Sequence, residues 1–201
     1  MSDAARLEAL WAGAFGDAYT ERNAQASANR ERFWREVLRD FPASRALEVG
    51  CNLGANLVWI AAGDGVECAA GVDVNLGALR RLRERIPGVR AVSATARALP
   101  FAAGSFDLVF TMGVLIHQSP EALPAVMDEI VRCSRRFVLC GEYHAPETTE
   151  VPYRGERGAL FKRDYGALYQ ACFPQLTLRR QTFLSRAEGW DDVTVWVFEK
   201  R

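Results

Sequence analysis

The residues best suited to chemistry by type and spacing form one run, Glu48-Val49-Gly50-Cys51-Asn52-Leu53-Gly54-Ala55-Asn56. Gly50 and Gly54 permit a tight turn and a close approach of a ligand to backbone. A dinucleotide fingerprint of the form G-x-G-x-x-G seats a pyrophosphate on the following helix. Here Asn52 replaces the second glycine. That disfavours NAD or FAD and fits a ligand without a pyrophosphate. Asp73 follows Gly54 by nineteen residues, where a carboxylate accepts from both hydroxyls of a ribose.

The chain has two histidines, His117 and His144. His117 is the first candidate for a general base, against the plainer reading of a loop histidine bonded to a backbone carbonyl. His144, beside Tyr143, faces either an acceptor or solvent. Between Tyr143 and Asp164 lie Tyr153, Arg154, Arg157, Lys162 and Arg163. Several cations over a pocket point to an acidic acceptor. A solvated loop balanced by Glu147, Glu150, Glu156 and Asp164 is the competing reading.

These residues need a scaffold. Leu7, Leu10, Trp11, Ala14, Phe15, Ala18 and Tyr19 predict a helical face over Ala4 to Asn23, interrupted at Gly13 and Gly16. Ser27 offers a cap to a second helix carrying Phe33, Trp34, Val37 and Leu38, ended before Pro42. From Arg45 short apolar runs alternate with helical ones. RALEV, VECAAGVDV, VRAVSA, FDLVFTMGVL and FVLCGE read as strands, and NLVWIAA and NLGALRRLRERI as helices. A further helix is predicted to start at Ser119-Pro120. Residues 143–162 read as a long loop, 164–172 as a helix, and LTLRRQTFL and DVTVWVFEK as a terminal hairpin. The pattern predicts an open, mostly parallel sheet with helices on both faces and ligands at the carboxyl ends of its strands. Residues 1–41 read as helices laid against a domain spanning 42–201.

Composition narrows the function. Lys plus Arg and Asp plus Glu each number 25, so the net charge is zero. That disfavours a nucleic-acid binder dependent on bulk positive charge. Five cysteines with no CxxC spacing argue against a zinc site and for reduced thiols. With no signal segment visible and no apolar run longer than Leu108 to Ile116, the expectation is a cytoplasmic protein that does not cross a membrane.

Glu48-x-Gly50-x-Asn52-x-Gly54, Asp73, and LPFAAGSFDLVFTMGVLIH resemble the class I S-adenosylmethionine-dependent methyltransferases over Arg45 to about Glu142. The family usually has glycine where this chain has Asn52. WAGAFGDAYTERN, LEVGCNLGANL and VPYRGERGALFKRDYG are similar to methylases associated with pseudaminic acid biosynthesis. The resemblance implies a seven-stranded Rossmann-like sheet and S-adenosylmethionine as cofactor. It implies that Gly50, Cys51, Asn52 and Gly54 hold the methionine portion through backbone, with Glu48 beneath. By the same resemblance Asp73 binds the ribose, Val74, Asn75, Thr95 and Ala96 border the adenine, and Thr111, Met112 and Gly113 flank the sulfonium.

Tyr19 and Arg22 are placed near the cofactor by an N-terminal lid, whereas Trp11 and Phe15 read as a packed stripe. Tyr153, Arg154 and Lys162 are assigned to the acceptor, a small polar molecule, acidic or sugar-derived, methylated at oxygen. A carboxylate or phosphonate, or the nitrogen of an amino sugar, are the alternatives. A cofactor-binding protein without catalysis is the other class. The absence of an (N/D)PP(Y/F)-type motif after the fourth strand separates the chain from nucleic-acid methyltransferases.

Overall fold

The computed structural model describes residues 2–23 and 29–201. Seven strands build the main sheet: β1 (Arg45–Val49), β2 (Cys68–Asp73), β3 (Arg90–Ser93), β4 (Phe106–Met112), β5 (Ser134–Glu142), β8 (Leu176–Leu184) and β9 (Val193–Lys200). Their order across the sheet is β3-β2-β1-β4-β5-β9-β8. Only β9 runs against the others, pairing antiparallel with both β5 and β8. The chain thus has the open, mostly parallel sheet that the strand pattern predicts, with the seven strands that the resemblance implies.

Side chains on successive strand residues point to opposite faces, and the two cores follow that period. Val109, Val138, Trp196 and Phe198 join one core; Leu108, Phe110, Leu139, Val195 and Val197 join the other. Helices α6 (Leu123–Cys133) and α7 (Tyr165–Cys172) cover the first face. The second is covered by α3 (Asn29–Asp40), α4 (Leu57–Ala61) and α5 (Leu76–Arg85). Their fully buried anchors include Trp34, Leu57, Ile60, Leu79 and Leu82.

Three sequence expectations need correction. The N-terminal helix breaks only at Gly13, between α1 (Asp3–Ala12) and α2 (Ala14–Arg22). Gly16 lies within α2, where a Cβ would stand 1.8 Å from the Trp11 carbonyl oxygen, so it serves close packing rather than a break. Ser119 and Pro120 precede α6 in a turn, with the Ala122 amide 3.3 Å from Ser119 Oγ, and the helix starts at Leu123.

The segment after β5 is no plain loop. It carries β6 (Thr149–Glu150) paired with β7 (Phe161–Lys162), and its tip, Tyr153 to Glu156, closes with two reciprocal backbone hydrogen bonds of 3.0 Å. Arg154 and Gly155 both have positive φ there, 51° and 87°, as a two-residue hairpin turn of the right twist requires. The cap assigned to Ser27 lies outside the described residues.

Candidate active site

The carboxyl ends of β1, β2 and β4 open into a cavity of about 390 Å³, roofed by α1, α2 and the hairpin tip. Its first wall is the β1 turn. Gly50 has φ +73°, and a Cβ there would collide with Val114 Cγ2 at 2.4 Å. Asp73 ends β2 and ties this wall together: Oδ2 accepts from the Asn52 amide at 2.8 Å and Oδ1 from the Asn75 amide at 2.9 Å. Burial pushes the Asp73 carboxyl up from its ordinary value, and these amides partly counter it. Gly54 lies off the cavity, where its φ of +72° and missing side chain admit Leu82 of α5. Cys51 packs on β2, since a Cβ at Gly71 would sit 2.6 Å from its Sγ. Burial holds that thiol well above its usual range, so it cannot serve as a nucleophile at neutral pH.

A second group of polar residues lies beneath the turn. Glu48 Oε1 accepts from Asn56 Nδ2 at 2.6 Å, while Asn56 Oδ1 accepts from Arg30 Nη1 at 3.0 Å and Trp34 Nε1 at 3.2 Å. The second oxygen of Glu48 and the Nε of Arg30 are buried and have no hydrogen-bond partner among the described residues. Burial pushes Glu48 up to about 8. Sequence reasoning missed Arg30, because on a helix rich in arginines nothing marks the one that turns inward.

The third wall is the turn leaving β4. Gly113 has φ +70°, and a single 3-10 turn, Leu115–His117, follows. Met112, Gly113 and His117 line the cavity; Thr111 is buried within β4 and does not. His117 Nδ1 lies 2.6 Å from the Ala159 carbonyl oxygen. A carbonyl only accepts, so the neutral ring carries its proton on Nδ1 and leaves Nε2 as an acceptor. Burial pulls its pKa down to about 4. The backbone contact of the plainer reading is present, and the ring still faces the cavity.

Aromatic residues complete the roof. The Trp11 ring centroid lies 4.4 Å from that of His117, 5.3 Å from Tyr19 and 6.4 Å from Tyr153. Trp11 is therefore a lining residue as well as part of the packed stripe. Tyr19, Tyr143, Tyr153 and Arg154 also line the cavity, with Thr95, Ala96, Val74 and Asn75 at its far end. Burial keeps Tyr19 protonated, its pKa pushed up to about 12.

Besides Gly54 and Thr111, three assigned residues stand off the cavity. Arg22 and Lys162 lie off the lining, with Lys162 Nζ 5.9 Å from the Tyr143 ring centroid. His144 also lies off the cavity, paired with Asp164 at 3.8 Å and packed on Trp196.

Residues 46–136 match the model of a methyltransferase domain. The fold is shared with solved methyltransferases, one of them with bound S-adenosylhomocysteine. A demethylmenaquinone methyltransferase of Beutenbergia cavernae is 31% identical over 131 residues, covering 62% of this chain and 53% of that protein. A tRNA U34 carboxymethyltransferase of Alcanivorax borkumensis is 35% identical over 94 residues, covering 42% of this chain and 29% of its own length. The chain therefore spans about half, or less, of these relatives. Among solved structures, the 1,6-didemethyltoxoflavin-N1-methyltransferase of Burkholderia thailandensis, with bound 1,6-didemethyltoxoflavin and S-adenosylhomocysteine, superposes with TM-score 0.78 at 18% identity. That superposition covers 100% of this chain and 91% of the other. Among the described residues, no helix is long and apolar enough to cross a membrane.

Proposed function

We propose that the protein transfers the methyl group of S-adenosylmethionine to a small acidic acceptor, at an oxygen that is already ionised. The cofactor fits the site because two buried atoms without a hydrogen-bond partner among the described residues, Glu48 Oε2 and Arg30 Nε, belong to residues that line the cavity beneath the β1 turn. An ammonium beside Glu48 would draw its raised pKa back down and ionise it, and Arg30 suits a carboxylate. Asp73 takes the ribose, the Gly50–Asn52 backbone borders the methionine, and Val74, Asn75, Thr95 and Ala96 flank the adenine.

When bound, the cofactor supplies an electrophilic methyl on sulfur, whose C–S bonding pair stays with sulfur as the new bond to oxygen forms. The residues of this chain align the partners and exclude water. Met112 and Gly113 border the transfer point. Helices α1 and α2 act as the lid, with Trp11 closing it on His117.

The state of His117 carries the choice of acceptor. A ring whose pKa is drawn down to about 4 holds a transferred proton poorly, so a neutral hydroxyl would gain little from it. A carboxylate, phosphate or phosphonate oxygen needs no base. Arg154 and the hydroxyls of Tyr19, Tyr143 and Tyr153 then neutralise and orient it. The similarity of the N-terminal and post-β5 segments to the sugar-pathway methylases favours an acidic sugar. The wider composition supports no nucleic-acid partner and a cytoplasmic setting.

Calorimetric titration with S-adenosylmethionine and S-adenosylhomocysteine, with NAD as control, tests the cofactor. Micromolar binding of the first two, about −8 kcal/mol, and none of NAD is expected. An acceptor screen by mass spectrometry then compares acidic sugars with their neutral analogues. Absence of binding by both adenosyl compounds sinks the proposal; methylation of the neutral analogues alone sinks the ionised acceptor.

A further inference from the structure

Glu142 ends β5 with its side chain fully buried, and no role in binding or chemistry falls to it above. Its two oxygens, like those of Asp73, accept backbone amides. Oε1 accepts from the Val114 amide and Oε2 from the Ile116 amide, each at 3.2 Å. Beside them the Gly113 amide donates to the Gly141 carbonyl at 2.8 Å. One strand end therefore holds the whole turn that leaves β4. That turn carries Val114, against which Gly50 packs, and His117 and Gln118, which line the cavity.

Among the described residues no cation is salt-bridged to Glu142, and its charge is compensated by backbone amides of the turn with a contribution from the Thr111 side chain. The titratable groups around it are Cys140, Tyr165 and Tyr169, each kept uncharged by burial. Arg163 reaches Tyr165 Oη at 3.1 Å and the Gln118 carbonyl at 3.2 Å rather than the carboxylate.

We propose that Glu142 is the positioning residue of the transfer step: its carboxylate, by accepting two turn amides, holds Gly113, Val114 and His117 in the arrangement that faces the acceptor. The proposal rests on the methyltransferase reading for what the turn does, but not for how the turn is held. Ionised, the carboxylate accepts from both amides. Protonated, one oxygen becomes a donor and faces an N–H, so one bond is lost. Burial pushes Glu142 up to about 7, which puts that change near neutrality.

The test is amide hydrogen exchange on the full chain, read by NMR at Val114 and Ile116 from about pH 6 to about pH 8.5 and corrected for intrinsic rates. In the native protein, protection at these two amides falls about tenfold as pH drops through the titration, the loss expected for one charged hydrogen bond. In Glu142→Gln it is low at every pH. Protection that is flat with pH in the native protein, or unchanged in Glu142→Gln, overturns the proposal. Should the variant fail to fold, the native titration alone still decides. S-adenosylhomocysteine binding, measured in parallel, separates the two ideas: its absence from the native protein overturns the methyltransferase reading and leaves the exchange result standing.

Discussion

Asp73 shows how one side chain can hold a site before any ligand arrives. Both its oxygens already accept backbone amides, from Asn52 and Asn75, so it shapes the loop that it is proposed to share with a ribose. Asp73→Ala is expected to weaken S-adenosylhomocysteine binding by about 1–3 kcal/mol, the cost of hydrogen bonds to a charged group. Calorimetry reading an unchanged affinity would remove Asp73 from the site. His117 makes the opposite case. Its Nδ1 proton is committed to Ala159 and burial keeps the ring neutral. On an ionised acceptor, His117→Gln should lower turnover by no more than about tenfold, while loss of a needed base costs about 100-fold or more. A steady-state rate reduced by the larger factor would restore the general base and refute the ionised-oxygen reading.

At the scale of elements, α1 and α2 are pinned over the cavity by polar contacts from several directions. Glu8 Oε2 accepts from Thr95 Oγ1 and Arg97 Nη2, both at 2.8 Å. The Asn75 side chain donates to Asp17 at 2.8 Å and the Trp11 carbonyl at 3.3 Å. Arg6 reaches the Arg157 carbonyl in the hairpin at 3.1 Å. Truncating Trp11→Ala should raise the dissociation rate of S-adenosylhomocysteine about tenfold, with the sheet intact by circular dichroism, because a large aromatic contact is lost from the closed lid. Stopped-flow fluorescence showing an unaltered rate would mean that the roof does not gate the site.

The main strands were legible because their physics is local: β1 and β8 have the bounds that apolar runs predict. β5 begins earlier than its apolar run, at Ser134, because pairing with β4 recruits polar residues. The hairpin after β5 was not legible, since two-residue strands carry no period. Ser119-Pro120 misled for a different reason: a helix-start signal and an isolated turn use the same side-chain bond. In the site, the β1 turn and Asp73 were legible from spacing. Arg30, Glu142 and the lining role of Trp11 were not, because each depends on which face of an element meets another far away in the chain.

For the whole molecule, the buried acids make stability depend on pH in a direction opposite to salt-bridged carboxylates. Glu48 and Glu142 have folded-state values raised to about 8 and about 7. The folded chain therefore binds more protons than the unfolded one below those values, and stability falls as pH rises through them. Each unit of difference is worth about 1.4 kcal/mol. His117, lowered to about 4, works the other way, losing stability as pH falls from about 6.5 to about 4. Without ligand, the melting temperature should fall between about pH 6 and about pH 8.5, and Glu48→Gln should flatten the upper part of that slope. A native melting temperature that is constant or rising across the range would contradict these burial effects.

The position of Cys51 turns the protein into its own footprinting probe. Its thiol lies under the β1 turn against Gly71, whereas Cys172 stands exposed on α7. An alkylating reagent should modify Cys172 at once and Cys51 only when the turn lifts from the sheet. The ratio of the two labels, read by peptide mass spectrometry, then counts openings without any acceptor in hand. S-adenosylhomocysteine at about 100 times its dissociation constant should slow Cys51 labelling by about 100-fold if it binds only the closed turn. Equal labelling with and without it would mean that the ligand does not select the closed turn.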